Sequence, residues 1–327
     1  TDLLLQKPNT KLPVVGVPLG VLVHNLAGPN PQERFTAWLE AKPKRTERLQ
    51  RLISAKQLRA IDSAKINFNQ WLKNTGSAPV VIDTTKAKRS LDQLKKYFYN
   101  QGYFNIKGRY SVLKDSTKKN RGSIRYTLNR NKAYSIGTLN YKIESPQIDS
   151  LFRATQNASF IRSGQPYDLA DFDNERARIT LQMRNSGFYF FDQDYVTFEA
   201  DTNGLGQRVN VHYIIPNRRI NKGDSVATTA PFKQYTINRV RIITDHSPQN
   251  QMLPFRDTTY YKVYELYSHN GAKYRSKALT NALAIVPGGL YSDIDRTVTN
   301  SQINELRNFK YPTIHYKVDP DDTTQTG

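Results

Sequence analysis

Asp168, Asp171, Asp173 and Glu175 fall within eight positions, a density of carboxylates that general acid–base chemistry or a calcium loop would use. They also stand where a helical pattern begins, and negative side chains in a first turn interact favourably with the helix dipole, which accounts for the cluster without chemistry. The five histidines, His24, His212, His246, His269 and His315, are dispersed, and none has a second histidine at metal-binding helical spacing. There is no cysteine, which excludes disulfides, thiolate nucleophiles and cysteine-ligated zinc. Gly204-Leu205-Gly206 lies between strand-like runs and reads as a hairpin turn, because a dinucleotide loop needs a strand–glycine–helix order. Asp321 and Asp322 belong to a polar tail. The residues therefore point to no enzyme, no catalytic group, no metal and no cofactor.

Charge offers a different chemistry. The 327-residue chain has a net charge of +20, and residues 1–132 hold 26 Lys and Arg against 8 Asp and Glu, leaving the remainder close to neutral. One cluster, Lys42, Lys44, Arg45, Arg48, Arg51, Lys56 and Arg59, lies on a helical stretch. A second, Lys107, Arg109, Lys114, Lys118, Lys119, Arg121 and Arg125, lies on strand-like runs. Such a face attracts polyanions, whether lipid headgroups, nucleic acid or an acidic protein. Bases and aromatics alternate in KKYFYNQGYFNIKGRY (Lys95 to Tyr110), which keeps a basic nucleic-acid-binding module as the alternative reading. No RNA-recognition or helix-turn-helix signature accompanies that segment, and Tyr97, Phe98 and Phe104 read more simply as core.

The elements that carry these residues recur. In the middle of the chain a strand-like Ala133 to Ile143 leads to SGQPYD (Ser163 to Asp168), a helical stretch, RNSGFYFF (Arg184 to Phe191) and two more strand-like runs. The third copy runs from QYTINRVRII (Gln234 to Ile243) through PGGLYSD (Pro287 to Asp293) and a helix to TIHYKV (Thr313 to Val318). The first copy keeps APVVID (Ala78 to Asp83), a helix from Lys86 to about Asn100, NQGYF (Asn100 to Phe104) and two strand-like runs. Gly102 and Gly187 are 85 positions apart, too far for a solenoid repeat and suited to tandem α+β domains. Each glycine is expected to end its helix in a left-handed conformation. Leu91, Leu94 and Phe98 form the expected buried stripe of the first helix; Ile179, Leu181 and Met183 mark the second. Alternation on either side of DTNGLGQ (Asp201 to Gln207) predicts a hairpin with one covered face. In the third copy, YYKVYELY (Tyr260 to Tyr267) reads as one strand turning at His269-Asn270-Gly271, and Phe309-Lys310 stands where the other copies have glycine.

SGQPYD followed by a helix and RNSGFYFF, with strand entries such as Tyr134-Ser135-Ile136-Gly137, resembles the polypeptide-transport-associated (POTRA) domain of the BamA and TamA family of outer-membrane assembly factors. QKPN (Gln6 to Asn9), VHNLAGP (Val23 to Pro29), Trp38-Leu39, the APVVID and NQGYF pair, and Pro287 to Asn300 are similar to its TamA-like lipoprotein branch in Bacteroidetes. The resemblance implies β-α-α-β-β domains, each with two helices over a three-stranded mixed sheet, followed in the family by a membrane β-barrel. On this reading residues 1–132 form a first domain without its initial strand and with a helical insertion at about 46–74. Residues 133–222 form a second, and 232–327 a third with a hairpin insertion at about 258–274 and no final strand.

The resemblance further implies a periplasmic scaffold, attached to the outer membrane through segments outside this sequence. It would bind unfolded outer-membrane protein clients as an added strand, with a TamB-like envelope partner as an expectation. The second strands, Asn105 to Leu113 and Asp194 to Ala200, are the candidate edges by family analogy. Tyr195, Thr197 and Glu199 are preferred, because Lys107 and Arg109 blunt the other run. Lys44, Arg45, Arg48, Arg51, Lys118, Lys119 and Arg121 are the residues expected to meet an anionic lipid surface.

Overall fold

From the amino terminus onward, the computed structural model describes residues 3–9, 18–42, 44–116, 121–202, 206–220, 228–250 and 252–319. By its contacts the chain divides into two units, residues 1–98 with 105–130, and residues 99–104 with 131–327.

The first unit opens with α1 (Leu19–Leu26), α2 (Pro31–Glu40), α3 (Arg45–Leu52) and α4 (Ala55–Thr75). The helical insertion expected at about 46–74 is two helices, α3 and α4, broken at Ile53-Ser54 because Ser54 starts a capping box. Its hydroxyl accepts the Gln57 amide at 3.3 Å, and the Gln57 side chain accepts the Ser54 amide at 2.8 Å. Phe35 and Leu72 are the buried apolar anchors of this layer. The Gln-x-x-Asn spacing of QKPN also finds its reason here. Asn9 accepts the Val80 amide at 2.9 Å and donates to the Ala78 carbonyl at 2.8 Å, while Gln6 accepts the Asp83 amide at 3.1 Å. Two side chains thus hold the extended 78–83 segment as a neighbouring strand would. Asp83 then caps α5 (Thr84–Asn100), accepting the Thr85 and Lys86 amides at 2.8 and 3.1 Å. Ala87, Ser90 and Leu91 are the buried face of α5, with Leu94 and Phe98 half-buried and Tyr97 exposed. The strands β1 (Lys107–Lys114) and β2 (Gly122–Asn129) form an antiparallel pair.

In the second unit, β3 (Ser135–Ile143), α6 (Pro146–Ala154), α7 (Leu169–Asn185), β4 (Thr197–Asp201) and β5 (Arg208–Ile215) follow in the expected order. The sheet runs β3-β5-β4, with β3 parallel and β4 antiparallel to the central β5. Along β5 the odd residues Val209, Val211, Tyr213 and Ile215 are buried and the even ones are not, the signature of a sheet covered on one face. Ile148 and Phe152 of α6 and Phe172, Ile179 and Met183 of α7 cover that face. The buried stripe of α7 advances by three and four residues through Phe172, Glu175, Ile179 and Met183; Leu181 falls off it and is 51% exposed.

A short antiparallel pair, β6 (Arg218–Ile220) and β7 (Thr228–Ala230), leads to β8 (Arg241–Ile243), β9 (Asp257–Tyr261), β10 (Tyr264–Ser268), α8 (Ser276–Asn281) and α9 (Asp293–Glu305). Three strands therefore precede the helices, where strand–helices–strand–strand was expected. The sheet runs β8-β10-β9, parallel then antiparallel, so the inserted hairpin holds the place that β5 and β4 hold in the preceding repeat. Tyr260 to Tyr267 is not one strand, because Lys262 takes φ 53° and turns the chain within two residues. Asn270-Gly271 lies beyond the hairpin, where the Asp245 carboxylate accepts the His269 and Asn270 amides at 3.0 and 2.9 Å. Residues 313–318 alternate exposed and half-buried side chains but pair with no strand among the described residues. The protein is an α+β chain in which no described helix is long and apolar enough to cross a membrane.

Candidate functional site

Sheet edges are where this chain leaves backbone hydrogen-bonding groups for a partner, and their parity decides which residues offer them. Gln207 and Ile215 direct their carbonyls to the β3 side, accepting the Ser135 and Glu144 amides at 3.0 Å each. Even residues of β5 therefore face β4, and Thr197, Glu199 and Asp201 spend their N–H and C=O on Ile214, His212 and Asn210. Phe198 and Ala200 are the residues whose backbone groups point outward. Thr197 and Glu199 do lie on the edge strand, with exposed side chains, and the Thr197 hydroxyl donates to the Ile214 carbonyl at 3.1 Å. Tyr195 does not. It sits in a 3₁₀ turn at Gln193–Tyr195, its ring packed on Phe232 at 4.9 Å and Phe191 at 6.0 Å, and its hydroxyl accepts the Arg219 amide at 3.2 Å. The candidate Tyr195 is thus a packing residue beside the edge, placed there because Asp192 caps the turn and delays the strand to Thr197.

The other margin, the outer side of β3, is closed where it begins. Ile136 donates to Gln165 and accepts from Gly164, both at 2.8 Å, and the Tyr134 carbonyl accepts the Tyr167 amide at 2.9 Å, so the Gly-Gln-Pro-Tyr of SGQPYD lies along the strand entry. The same clasp recurs further on, with the strand entry 101 and the clasping loop 124 residues later. Ile237 donates to Gly289 at 2.8 Å, Gly288 donates to Ile237 at 2.7 Å and Tyr291 donates to Tyr235 at 2.9 Å.

Each clasp is tied to a left-handed glycine. Gly102 and Gly187 have φ of +82° and +94°, as a helix-ending glycine requires. The Gly102 carbonyl accepts the Tyr134 amide at 2.9 Å, and the Gly187 carbonyl accepts the Tyr235 amide at 2.8 Å. The approach is close enough to exclude a side chain. A Cβ on Gly102 would lie 3.0–3.2 Å from Tyr167 and the Tyr134 carbonyl; one on Gly187 would lie 3.2 Å from Gln234 and Leu290. Each glycine–aromatic pair therefore forms a joint with the strand entry that follows it in the chain, Gly102 with Tyr134 and Gly187 with Tyr235. After α9 the equivalent left-handed position is Arg307, at φ 53°, two residues earlier than Phe309.

An ion pair completes the second joint. The Arg184 guanidinium forks onto the Asp293 carboxylate while donating to the Tyr189 and Phe191 carbonyls at 3.0 and 2.9 Å and to the Tyr291 hydroxyl, so all five of its donors are used. Burial alone would raise the Asp293 pKa, but hydrogen bonds from Arg184 and Tyr291 outweigh it and hold the carboxyl below its ordinary range. Burial and the bond to Asp293 push the Tyr291 phenol well up. Tyr189, Tyr291 and Tyr316 pack edge-to-face or tilted against one another with centroids 4.9–5.8 Å apart.

The acidic cluster serves the fold. Asp168 caps α7, accepting the Ala170 amide at 2.9 Å, and Asp171 accepts the Gln165 side chain at 3.0 Å. Glu175 was not separable from its neighbours by sequence, yet it is fully buried. It accepts the Phe160 amide at 3.0 Å and the Arg178 Nη2 and Nε donors at 2.7 and 2.9 Å. Its position on the apolar stripe of α7 is the signal that would have found it. Among the described residues no group of His, Asp and Glu could hold a metal ion. Of the basic residues, Lys44, Arg48, Arg51 and Arg121 are exposed. Arg45 donates to the Trp38 carbonyl and stacks 4.6 Å over its ring. Lys118 and Lys119 lie outside the described residues, as do Gly204, Leu205, Asp321 and Asp322.

No family model and no curated protein matches the sequence. Among solved structures, the chain is similar to POTRA domains 3 to 5 of BamA from Haemophilus influenzae, with 11% identity over 76% of this chain and 79% of that one, at a TM-score of 0.34. It is similar to POTRA domains 1 to 3 of the periplasmic domain of Omp85 from Anabaena, with 9% identity over 71% and 73% of the two chains, at 0.25. BamA from Haemophilus ducreyi lacking POTRA domains 1 to 3 matches with 14% identity over 44% of this chain and 25% of that one, at 0.28. At such identities and scores these likenesses do not bear on function.

Proposed function

We propose that this chain is the periplasmic scaffold of an outer-membrane protein assembly or translocation machine, built from POTRA-like repeats that take an unfolded client as an added strand and position it for a carboxy-terminal barrel. The observation that carries the reading is the β3-β5-β4 sheet. Two helices seal one face, the clasp of residues 164–167 closes one margin at its start, and Phe198 and Ala200 on the other margin keep outward donors and acceptors. Backbone pairing at such a margin is largely indifferent to client sequence, which suits a scaffold serving many unfolded chains. The repeated residues support the same reading, since a left-handed glycine accepts the strand-entry tyrosine amide in the same way at Gly102 and at Gly187.

In this reading the exposed Lys44, Arg48, Arg51 and Arg121, with Arg45, meet an anionic lipid surface, and a TamB-like envelope protein is the expected partner. Each surface-proximal cation contributes about 1 kcal/mol at an anionic bilayer, decaying within a Debye length.

The test is to dilute a urea-unfolded outer-membrane β-barrel protein into the full chain. Suppressed aggregation and a co-eluting complex are expected, insensitive to salt; no complex, or salt-sensitive capture of oligonucleotides instead, overturns the reading in favour of a nucleic-acid-binding module. Co-sedimentation with phosphatidylglycerol vesicles, lost on K44E/R48E/R51E, checks the lipid contact; equal binding to phosphatidylcholine vesicles refutes it.

A further inference from the structure

The helical layer of the first unit carries an apolar surface that stays exposed, and α4 shows it as a second stripe. Leu58 and Ile66 are half-buried and Asn69 and Leu72 buried, which makes one stripe the packed face of the helix. Ile61, Ala64, Phe68 and Trp71 advance by three, four and three residues along another, and all four are exposed, Phe68 and Trp71 by 60% and 55%. A single exposed apolar side chain is ordinary; a whole helical stripe of them is a surface for contact. The stripe continues onto α2. Phe68 and Trp71 stack at 5.7 Å, and Lys65, the helical neighbour of Phe68, places its ammonium 5.5 Å from the centre of the Trp38 ring, itself 46% exposed. Arg45, at the start of α3, lies 4.6 Å over that same ring.

Charge selects the occupant. Residues 18–75 carry ten Lys and Arg against four Asp and Glu, and Arg48, Arg51, Lys56 and Arg59 are exposed on α3 and α4. A purely apolar partner would use the rings and leave this excess without counter-charge. The interface of an anionic bilayer uses both, because aromatic rings settle at headgroup level while Lys and Arg run their stems along apolar surface and hold their heads among the phosphates. Arg45 and Lys65, laid against the rings, have that form. Tryptophan, enriched at headgroup level, occurs in this chain only at positions 38 and 71, both on this surface.

We propose that the surface formed by α2, α4 and the start of α3 is an interfacial membrane-binding site, in which Trp38, Phe68 and Trp71 enter the headgroup region of an anionic bilayer while Arg45 and Lys65 engage its phosphates. The proposal rests on the lipid contact read above and adds a residue set and a chemistry to it. The cations draw the helical layer to the bilayer, and burial of the rings holds it there.

Because both tryptophans lie on this surface, the intrinsic fluorescence of the full chain reads it directly. Phosphatidylglycerol vesicles with brominated acyl chains are expected to shift the emission to the blue and to quench it by about half or more, and W38F, which leaves Trp71 as the reporter, is expected to keep the quenching. F68Q/W71Q changes only exposed side chains and is expected to weaken co-sedimentation with the vesicles about tenfold, with the far-UV circular dichroism unchanged. Vesicle binding without quenching, and unaffected by F68Q/W71Q, overturns entry of the rings while the charge contact stands; no binding to the vesicles overturns both. A blue shift that grows with protein concentration in the absence of vesicles assigns the surface to a second copy of the chain. Quenching by a single-stranded oligonucleotide, with none by vesicles, assigns it to nucleic acid. Either result overturns the proposal.

Discussion

Three glycines with positive φ offer a graded test of the joint, because the surroundings of the missing side chain differ while the backbone strain is alike. Gly164, Gly187 and Gly102 have φ of +87°, +94° and +82°. An alanine in this region costs about 1–2 kcal/mol in backbone strain, of which about 0.5 kcal/mol is returned through the stiffer unfolded chain. At Gly164 nothing lies within 4 Å of a new Cβ, so G164A is expected to cost about 1 kcal/mol, the strain alone. At Gly187 the Cβ would stand 3.2 Å from the Gln234 and Leu290 side chains, which can move, and the cost rises to about 2 kcal/mol. At Gly102 two of the three nearest atoms are the Tyr167 and Tyr134 carbonyl oxygens, at 3.1 and 3.2 Å, which cannot move without breaking the clasp; G102A is expected to cost about 3 kcal/mol. A chain of several domains does not unfold in one step, so the assay is local: amide hydrogen exchange at Tyr134 for G102A and at Tyr235 for G187A. Opening free energies at those amides should fall in the order G102A, G187A, G164A. Equal losses for all three would refute the claim that close approach of the next strand, and not φ alone, fixes these glycines.

Three further outcomes follow from single residues. E175A leaves the Phe160 amide without its acceptor and Arg178, whose side chain is 14% exposed, without its counter-charge; the opening free energy at Phe160 should fall by about 3 kcal/mol, and E175Q, which keeps the acceptor, by less. Asp293 has a folded pKa below its unfolded value, so its stabilisation is complete above about pH 4 and is lost as pH falls through the lowered value. The near-UV tyrosine signal of the joint should therefore decline more steeply below pH 4 in the wild type than in D293N; parallel profiles would contradict the assignment. R307G relieves a left-handed arginine after α9 and should stabilise the amides of that helix end by about 1 kcal/mol, whereas a loss there would mean the arginine side chain has a role of its own.

The sequence made legible whatever was written in periodicity or in glycine. The left-handed Gly102 and Gly187 and the alternation through Val209, Val211 and Tyr213 are properties of near neighbours in the chain, and the structure reproduces them. What escaped was set by contacts across tens of residues or by turns without their usual residues. Lys262-Val263 carries no turn signal, while Asn270-Gly271 carries a strong one, yet the hairpin turns at the former and Asp245, 24 residues upstream of His269, claims the latter. Tyr195 fits the alternation of β4 by sequence, but its ring is drawn to Phe232 from another part of the chain. Parity was also out of reach, since which residues of β4 turn outward depends on how β5 pairs with β3. The edge itself was foreseeable; that Phe198 and Ala200 carry it, in place of Thr197 and Glu199, was not.

The most direct measurement of the central claim is amide exchange at every sheet margin of the full chain, with and without the urea-unfolded barrel protein. Strand addition at the proposed edge requires new protection confined to residues that point outward on β4, Phe198 and Ala200, with inward Thr197 and Glu199 unchanged. A bound client that protects none of the outward amides would contradict it.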